Sequence, residues 1–151
     1  RLRRCRRVLP WALARLSGQV PLIGATGGRC FAGNAALLGC CDIVIATERA
    51  RFTEIFVRRG LTLDFGGTWL LPHIVGRARA LDLALTGRIV DSAEALEMGL
   101  VARVVPVDDL SATVAEVAEA LAAGAPLAQR FIKSGIDKVA CIAKAIGLQP
   151  E

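Results

Sequence analysis

Apolar residues come in short blocks along this chain, and glycine separates most of them. Val20 to Ala25 is an apolar run that suits a buried strand. Gly27 and Gly28 break it. From Gly33 to Cys41 almost no polar side chain occurs, the pattern of a helix buried all round. Asp42 to Thr47 (DIVIAT) reads as a second buried strand, of the kind found in parallel sheets. Ala50 to Glu54 suits a short extended piece, Gly60 to Gly67 a loop, and Trp69 to Val75 an apolar helical segment. Gly76 separates that segment from a helix at Arg77 to Leu85, which Gly87 terminates. Asp91 followed by Glu94 predicts a helix start for Ser92 to Met98. Val101 to Val105 is a strand ending at Pro106. Asp108 or Asp109 then caps a helix whose Leu110, Val114, Val117 and Leu121 share one face. Pro126 opens a last helix with Leu127, Phe131, Ile132, Val139, Ile142 and Ile146, and Pro10 opens an early one ending near Leu16. Strands early, helices late and crossovers between them predict an α/β fold with a helical tail.

Composition narrows this picture. At 151 residues the chain can bury a sizeable core, and its 54% hydrophobic content argues against disorder. No apolar run reaches the roughly 18 residues of a membrane span, so the apolar excess points to burial between subunits. The net charge is +5. It is concentrated in Arg1, Arg3, Arg4, Arg6, Arg7, Arg15 and Arg29, with no acid before Asp42. Such a block can hold nucleic acid or a phosphorylated small ligand. Without interleaved aromatic residues to stack on bases, nucleic acid is not expected as a partner. Five cysteines with no CxxC or Cys/His spacing, and His73 as the single histidine, exclude a disulfide framework and a zinc site. No metal is expected, the thiols read as small core residues, and a reducing, cytoplasmic location follows.

The first glycine cluster admits two chemistries. A dinucleotide turn after Val20–Ala25 would place a pyrophosphate on the next helix N-terminus. However, Cys30 stands where a third glycine is needed, and Asp42 opens the second strand instead of closing it. Alternatively, a backbone N–H at Gly33, at the start of the buried helix, stabilises negative charge developing on a carbonyl oxygen.

Several runs occur in one order: AGN and CDIVIAT within Gly28 to Thr47, ERARF at Glu48 to Phe52, FGGTWLLPHIVGRARALDLALTGR at Phe65 to Arg88, and SAEALEMGLVARVVP at Ser92 to Pro106. In these the chain resembles the enoyl-CoA hydratase/isomerase, or crotonase, superfamily. The resemblance covers about the C-terminal three-fifths of that fold. It implies a partial ββα spiral core over residues 1–106 and a helical, trimerising region over 107–151, hence a homo-trimer or hexamer. It also implies an acyl-CoA thioester as ligand, a place in fatty-acid metabolism, and no cofactor beyond the coenzyme A of the substrate. Gly33 matches the second of two oxyanion donors, the first lying in the family's N-terminal half. Gly28, Phe31, Ala36, Phe56, Phe65, Gly66 and Trp69 match pocket positions.

The acids depart from the hydratase pattern. Hydration across a double bond is served best by two carboxylates, and the family's two glutamate positions are Ala36 and Phe56 here. Glu54 lies two residues from the second, but in an extended segment it would share a face with Phe56. Asp64, in the turn LDFGG, matches an acid that isomerase-type members use. A 1,3-proton shift needs only one base, so Asp64 is expected to be catalytic, unless it merely caps the helix that follows. The expected activity is enoyl-CoA hydratase/isomerase-like with isomerisation favoured. The alternatives are a non-catalytic acyl-CoA-binding or assembly module, or an inactive fragment.

Overall fold

The computed structural model describes residues 20–31, 40–64 and 66–145. The early helix at Pro10–Leu16 lies outside this range, as does the buried helix apart from Cys40 and Cys41, which are not helical. Six strands are present among the described residues: β1 (Ile23–Thr26), β2 (Arg29–Phe31), β3 (Ile43–Thr47), β4 (Arg51–Thr53), β5 (Val90–Asp91) and β6 (Arg103–Val105). They form two three-stranded sheets, β1–β3–β6 and β2–β4–β5. Every pairing is parallel except β4 with β5. From β1 to β4 the chain alternates between the sheets, which gives a partial ββα spiral.

β3 shows why the sequence folds this way. Ile45 and Ala46 are neighbours whose side chains point to opposite faces, and both are 0% exposed. The strand is therefore covered on both sides, as parallel strands require. Asp42 fixes its register with β1: the Asp42 Oδ2 accepts from the Leu22 N–H at 2.8 Å, and the Asp42 N–H donates to the Leu22 carbonyl at 2.9 Å. That explains an acid at the beginning of the strand.

The helices are α1 (Gly67–Val75), α2 (Arg77–Thr86), α3 (Ser92–Glu97), α4 (Leu110–Ala123) and α5 (Pro126–Ala145). Gly87 closes α2 in the left-handed region (φ 59°), its N–H donating to the Leu83 carbonyl at 2.9 Å. The Asp91 Oδ1 caps α3, accepting from the Glu94 N–H at 2.9 Å. Asp108 and Asp109 do not cap α4. They belong to a 3-10 turn, Val107–Asp109, that runs straight into it, because Pro106 starts the turn before the helix proper.

One compact unit comprises Leu22–Ala118, with a core built from Cys30, Val44, Ala46, Phe52, Leu71, Leu83, Val90 and Met98 among others. Cys30 is thus the core residue expected of it. A second unit has 20–21 and 119–145 as its described residues. Within that unit Lys133 is buried and donates from Nζ to the Val20 carbonyl at 2.8 Å. An exposed lysine is the default for a helix of this kind, but here the cation satisfies a backbone carbonyl outside any strand. Leu127, Phe131, Ile132 and Ile136 on α5 are all more than 60% exposed. No single helix among the described residues is long and apolar enough to cross a membrane.

Candidate functional site

The residues that could move a proton sit on the segment joining β4 to α1. Thr53 ends β4 with its hydroxyl donating to the Gly87 carbonyl at 2.9 Å. Glu54 is the hinge, and a 3-10 turn follows at Ile55–Arg59. Gly60 leaves that turn in the left-handed region (φ 67°), and the Leu61 N–H closes it onto the Phe56 carbonyl at 3.0 Å. The segment then reaches Asp64, whose carbonyl accepts from the Gly67 N–H at 2.7 Å, and Gly66 (φ 76°) leads into α1. Glycine suits Gly60 and Gly66 because the left-handed region penalises a Cβ.

The 3-10 turn overturns one sequence expectation. An extended chain through Glu54 and Phe56 would put both side chains on one face. The strand instead stops at Thr53, so the two are carried apart by a tight turn while both remain buried, at 7% and 8% exposure. Phe56 is therefore an aromatic ring in the core. Glu54 is a buried carboxyl. Its Oε2 has no hydrogen-bond partner among the described residues, and burial pushes its pKa up to about 7, helped by the negative charge of Asp64.

Asp64 is exposed, and its carboxylate makes no hydrogen bond or ion pair among the described residues. It contributes to the start of α1 through its backbone carbonyl alone, so the capping role is not the one its side chain plays. Gly67 is buried, and a Cβ there would come within 3.3 Å of the Leu63 Cβ, which keeps this turn tight. Trp69, in the first turn of α1, is 54% exposed and stacks on His73, with ring centroids 4.2 Å apart. The His73 Nδ1 lies 2.6 Å from the Trp69 carbonyl. His73 is thus a surface residue.

The remaining candidates divide by position. Gly28 is half-buried at the β1–β2 junction, its carbonyl accepting from the Arg51 N–H at 3.1 Å, with open space where a Cβ would stand. Phe31 closes β2 opposite Thr53. Gly33, Ala36 and Phe65 lie outside the described residues. The structure therefore gathers Glu54, Phe56, Asp64 and Gly66 on one loop. Among the described residues no group of three or more His, Cys, Asp or Glu could hold a metal.

The model of the enoyl-CoA hydratase/isomerase family matches residues 8–148. The chain belongs to that family. Its solved relatives share the fold: a Thermobifida fusca YX protein described as an enoyl-CoA hydratase, crystallised with acetoacetyl-CoA, superposes with a TM-score of 0.79 at 32% identity. That match covers 82% of this chain and 48% of the other. A Mycobacterium bovis protein named "Probable enoyl-CoA hydratase echA8" is 36% identical over 120 residues, 80% of this chain and 47% of its own. The 1,2-epoxyphenylacetyl-CoA isomerase of Escherichia coli is 39% identical over 117 residues, 78% of this chain and 45% of its own. The chain thus spans about half the length of these relatives. Hydratases and isomerases both occur among the crotonase-fold relatives, so membership fixes the scaffold and leaves the reaction to the site.

Glu54 is the residue that sequence reasoning set aside. No signal in TEIF marks it, because a glutamate is rarely buried and its exposure is the ordinary expectation.

Proposed function

We propose that this chain binds an acyl-CoA thioester and shifts a double bond along the acyl chain by moving one proton through Asp64. The observation that carries this is the state of that carboxylate: exposed beside α1, engaged among the described residues in no cap and no ion pair, in a loop whose hydratase-type position is filled by Phe56. Bond and proton bookkeeping closes with one base. Asp64 takes a proton from C2 of a 3-enoyl thioester, charge moves onto the thioester oxygen, the double bond migrates, and the same proton returns at C4. The backbone N–H of Gly33 would hold the oxygen while it carries charge. Hydration would need a further acid to orient water, and Phe56 cannot supply it. The likeness to an acyl-CoA isomerase and to a protein crystallised with acetoacetyl-CoA supports the ligand class. We assign assembly as a homo-trimer or hexamer to the C-terminal helices, where the exposed Leu127, Phe131, Ile132 and Ile136 support it.

A second reading rests on the same Phe56: with an aromatic ring in place of an acid, the pocket binds acyl-CoA without turnover. Incubation with 3-enoyl-CoA and 2-enoyl-CoA, beside a titration with CoA alone, separates the two. Conversion between the enoyl isomers that falls by about 10²-fold or more in Asp64→Asn, with CoA affinity kept, supports the isomerase. Saturable binding with no conversion by the unaltered protein supports the module.

A further inference from the structure

The chain lays its strands down in circuits. β1 goes to the first sheet and β2 to the second, then β3 joins β1 and β4 joins β2. A further circuit on the other side would lie along the outer edges of β1 and β2, and each of these strands ends its sheet among the described residues. Hydrogen bonds identify the groups on those edges. The Leu22 N–H donates to the Asp42 Oδ2, and the Leu22 carbonyl accepts from the Asp42 and Ile43 N–H groups, so Leu22 faces β3. Backbone groups of successive strand residues turn to alternate sides. Gly24 and Thr26 therefore face β3 as well, while Ile23 and Ala25 point their N–H and carbonyl groups outward. The Gly28 carbonyl accepts from the Arg51 N–H, so by the same alternation Cys30 faces β4, and Arg29 and Phe31 point outward. No described residue pairs with these outward groups. Such a row is a template for another strand.

Side chains agree with the backbone. Ile23 is half-buried and Ala25 exposed, whereas Gly24 and Thr26 on the other face are buried, although parallel strands are ordinarily covered on both faces. In the second sheet Arg29, Arg51 and Asp91 stand in register across β2, β4 and β5, and all three are exposed. Like charges directly opposite each other are destabilising. Arg51 donates to the carbonyls of Glu48 and Ala50, while Arg29 has no hydrogen bond or ion pair among the described residues. We propose that the outer edges of β1 and β2 dock a partner polypeptide that adds one further circuit, with one extended segment parallel to β1 and a second parallel to β2. The first segment is apolar, because it lies beside Ile23 and Ala25. The second carries Asp or Glu opposite Arg29, so that the row reads acid, Arg29, Arg51, Asp91 and each arginine gains an acidic neighbour. Length supports this occupant: the chain spans 47% and 48% of two relatives, which carry about as much polypeptide again outside the matched part. The docking surface stands on backbone and charge alone and is independent of the role given to Asp64.

Backbone amide exchange, read by NMR on the full chain, tests the edges directly. Ile23, Ala25 and Arg29 are expected to exchange about tenfold or more faster than Gly24, Thr26 and Cys30. The probe is the polypeptide that precedes the matched segment in the Mycobacterium bovis relative. Its addition is expected to slow the outward amides to the level of the inward ones. Ala25→Pro removes one outward N–H, a change an edge strand tolerates, and is expected to keep Gly24 and Thr26 protected while abolishing the response at β1. Arg29→Glu is expected to weaken the probe's binding about threefold or more. Outward amides already slow in the dilute chain, or slowed only by raising its own concentration, would mean another segment or a second copy covers the edge, and either result overturns the proposal. So does a probe that leaves the outward amides unchanged, or one that binds folded Ala25→Pro and Arg29→Glu as well as the unaltered chain.

Discussion

At the scale of single residues, Glu54 has a consequence for stability that is separate from catalysis. Its folded-state pKa of about 7 lies above the usual 4.5. The folded state therefore binds the extra proton between those values, and its stability falls as pH rises through that window. Below pH 4.5 both folded and unfolded chains hold the proton and the penalty vanishes. Above pH 7 it is complete, on the order of a few kcal/mol. Glu54→Gln keeps the shape and removes the charge. It is expected to raise the melting temperature at pH 8 and to leave it nearly unchanged at pH 4, as thermal unfolding followed by circular dichroism would show. A melting temperature equally raised or unchanged at both pH values would contradict the buried, ionisable state. Asp64 was readable in the sequence as a candidate because its motif names it. Glu54 was not, because strand periodicity was extended past Thr53 into a segment that turns.

At the scale of elements, glycine and acid punctuation marked most boundaries correctly. Gly76 and Gly87 delimit α2, and Asp91 caps α3 through a bond to the Glu94 N–H. Gly87 carries the stronger constraint: a Cβ there would stand 3.2 Å from the Val57 Cγ1 and 3.3 Å from Arg58, at φ 59°. Gly87→Ala therefore strains the backbone and pushes on the 3-10 turn that positions Glu54 and Phe56. We expect a loss of about 1–2 kcal/mol in a denaturant titration. Asp91→Ala removes a cap and is expected to cost about 1 kcal/mol by the same measurement. The elements that escaped sequence reading are the short ones. β2 is three residues long and contains Arg29, and β5 is two residues long, so neither supports a period of two. Both exist because β4 offers them pairing edges, which is tertiary information.

At the scale of the whole chain, the pattern of buried runs was enough to foresee parallel strands and an α/β architecture, and the order of motifs was enough to place the family. The division of the strands between two sheets was not foreseeable from periodicity, since strands buried on both faces look alike in either sheet. The apolar face of α5 belongs to this scale as well. Four large side chains more than 60% exposed predict self-association. Sedimentation velocity should show an oligomer that a double change, Phe131→Glu with Ile136→Glu, converts to monomer. A monomeric unaltered chain would contradict assembly through this helix.

The central claim is that one carboxylate, Asp64, moves one proton on a bound acyl-CoA. Its most direct measurement is exchange of deuterium from solvent into, or out of, the C2 position of a saturated or 3-enoyl acyl-CoA, read by mass spectrometry. Exchange reports proton abstraction whether or not the double bond completes its migration. The account predicts exchange by the unaltered chain that is lost in Asp64→Asn and kept in Phe56→Leu. Exchange that persists undiminished in a folded Asp64→Asn protein, or is absent from an unaltered protein saturated with acyl-CoA, would contradict it.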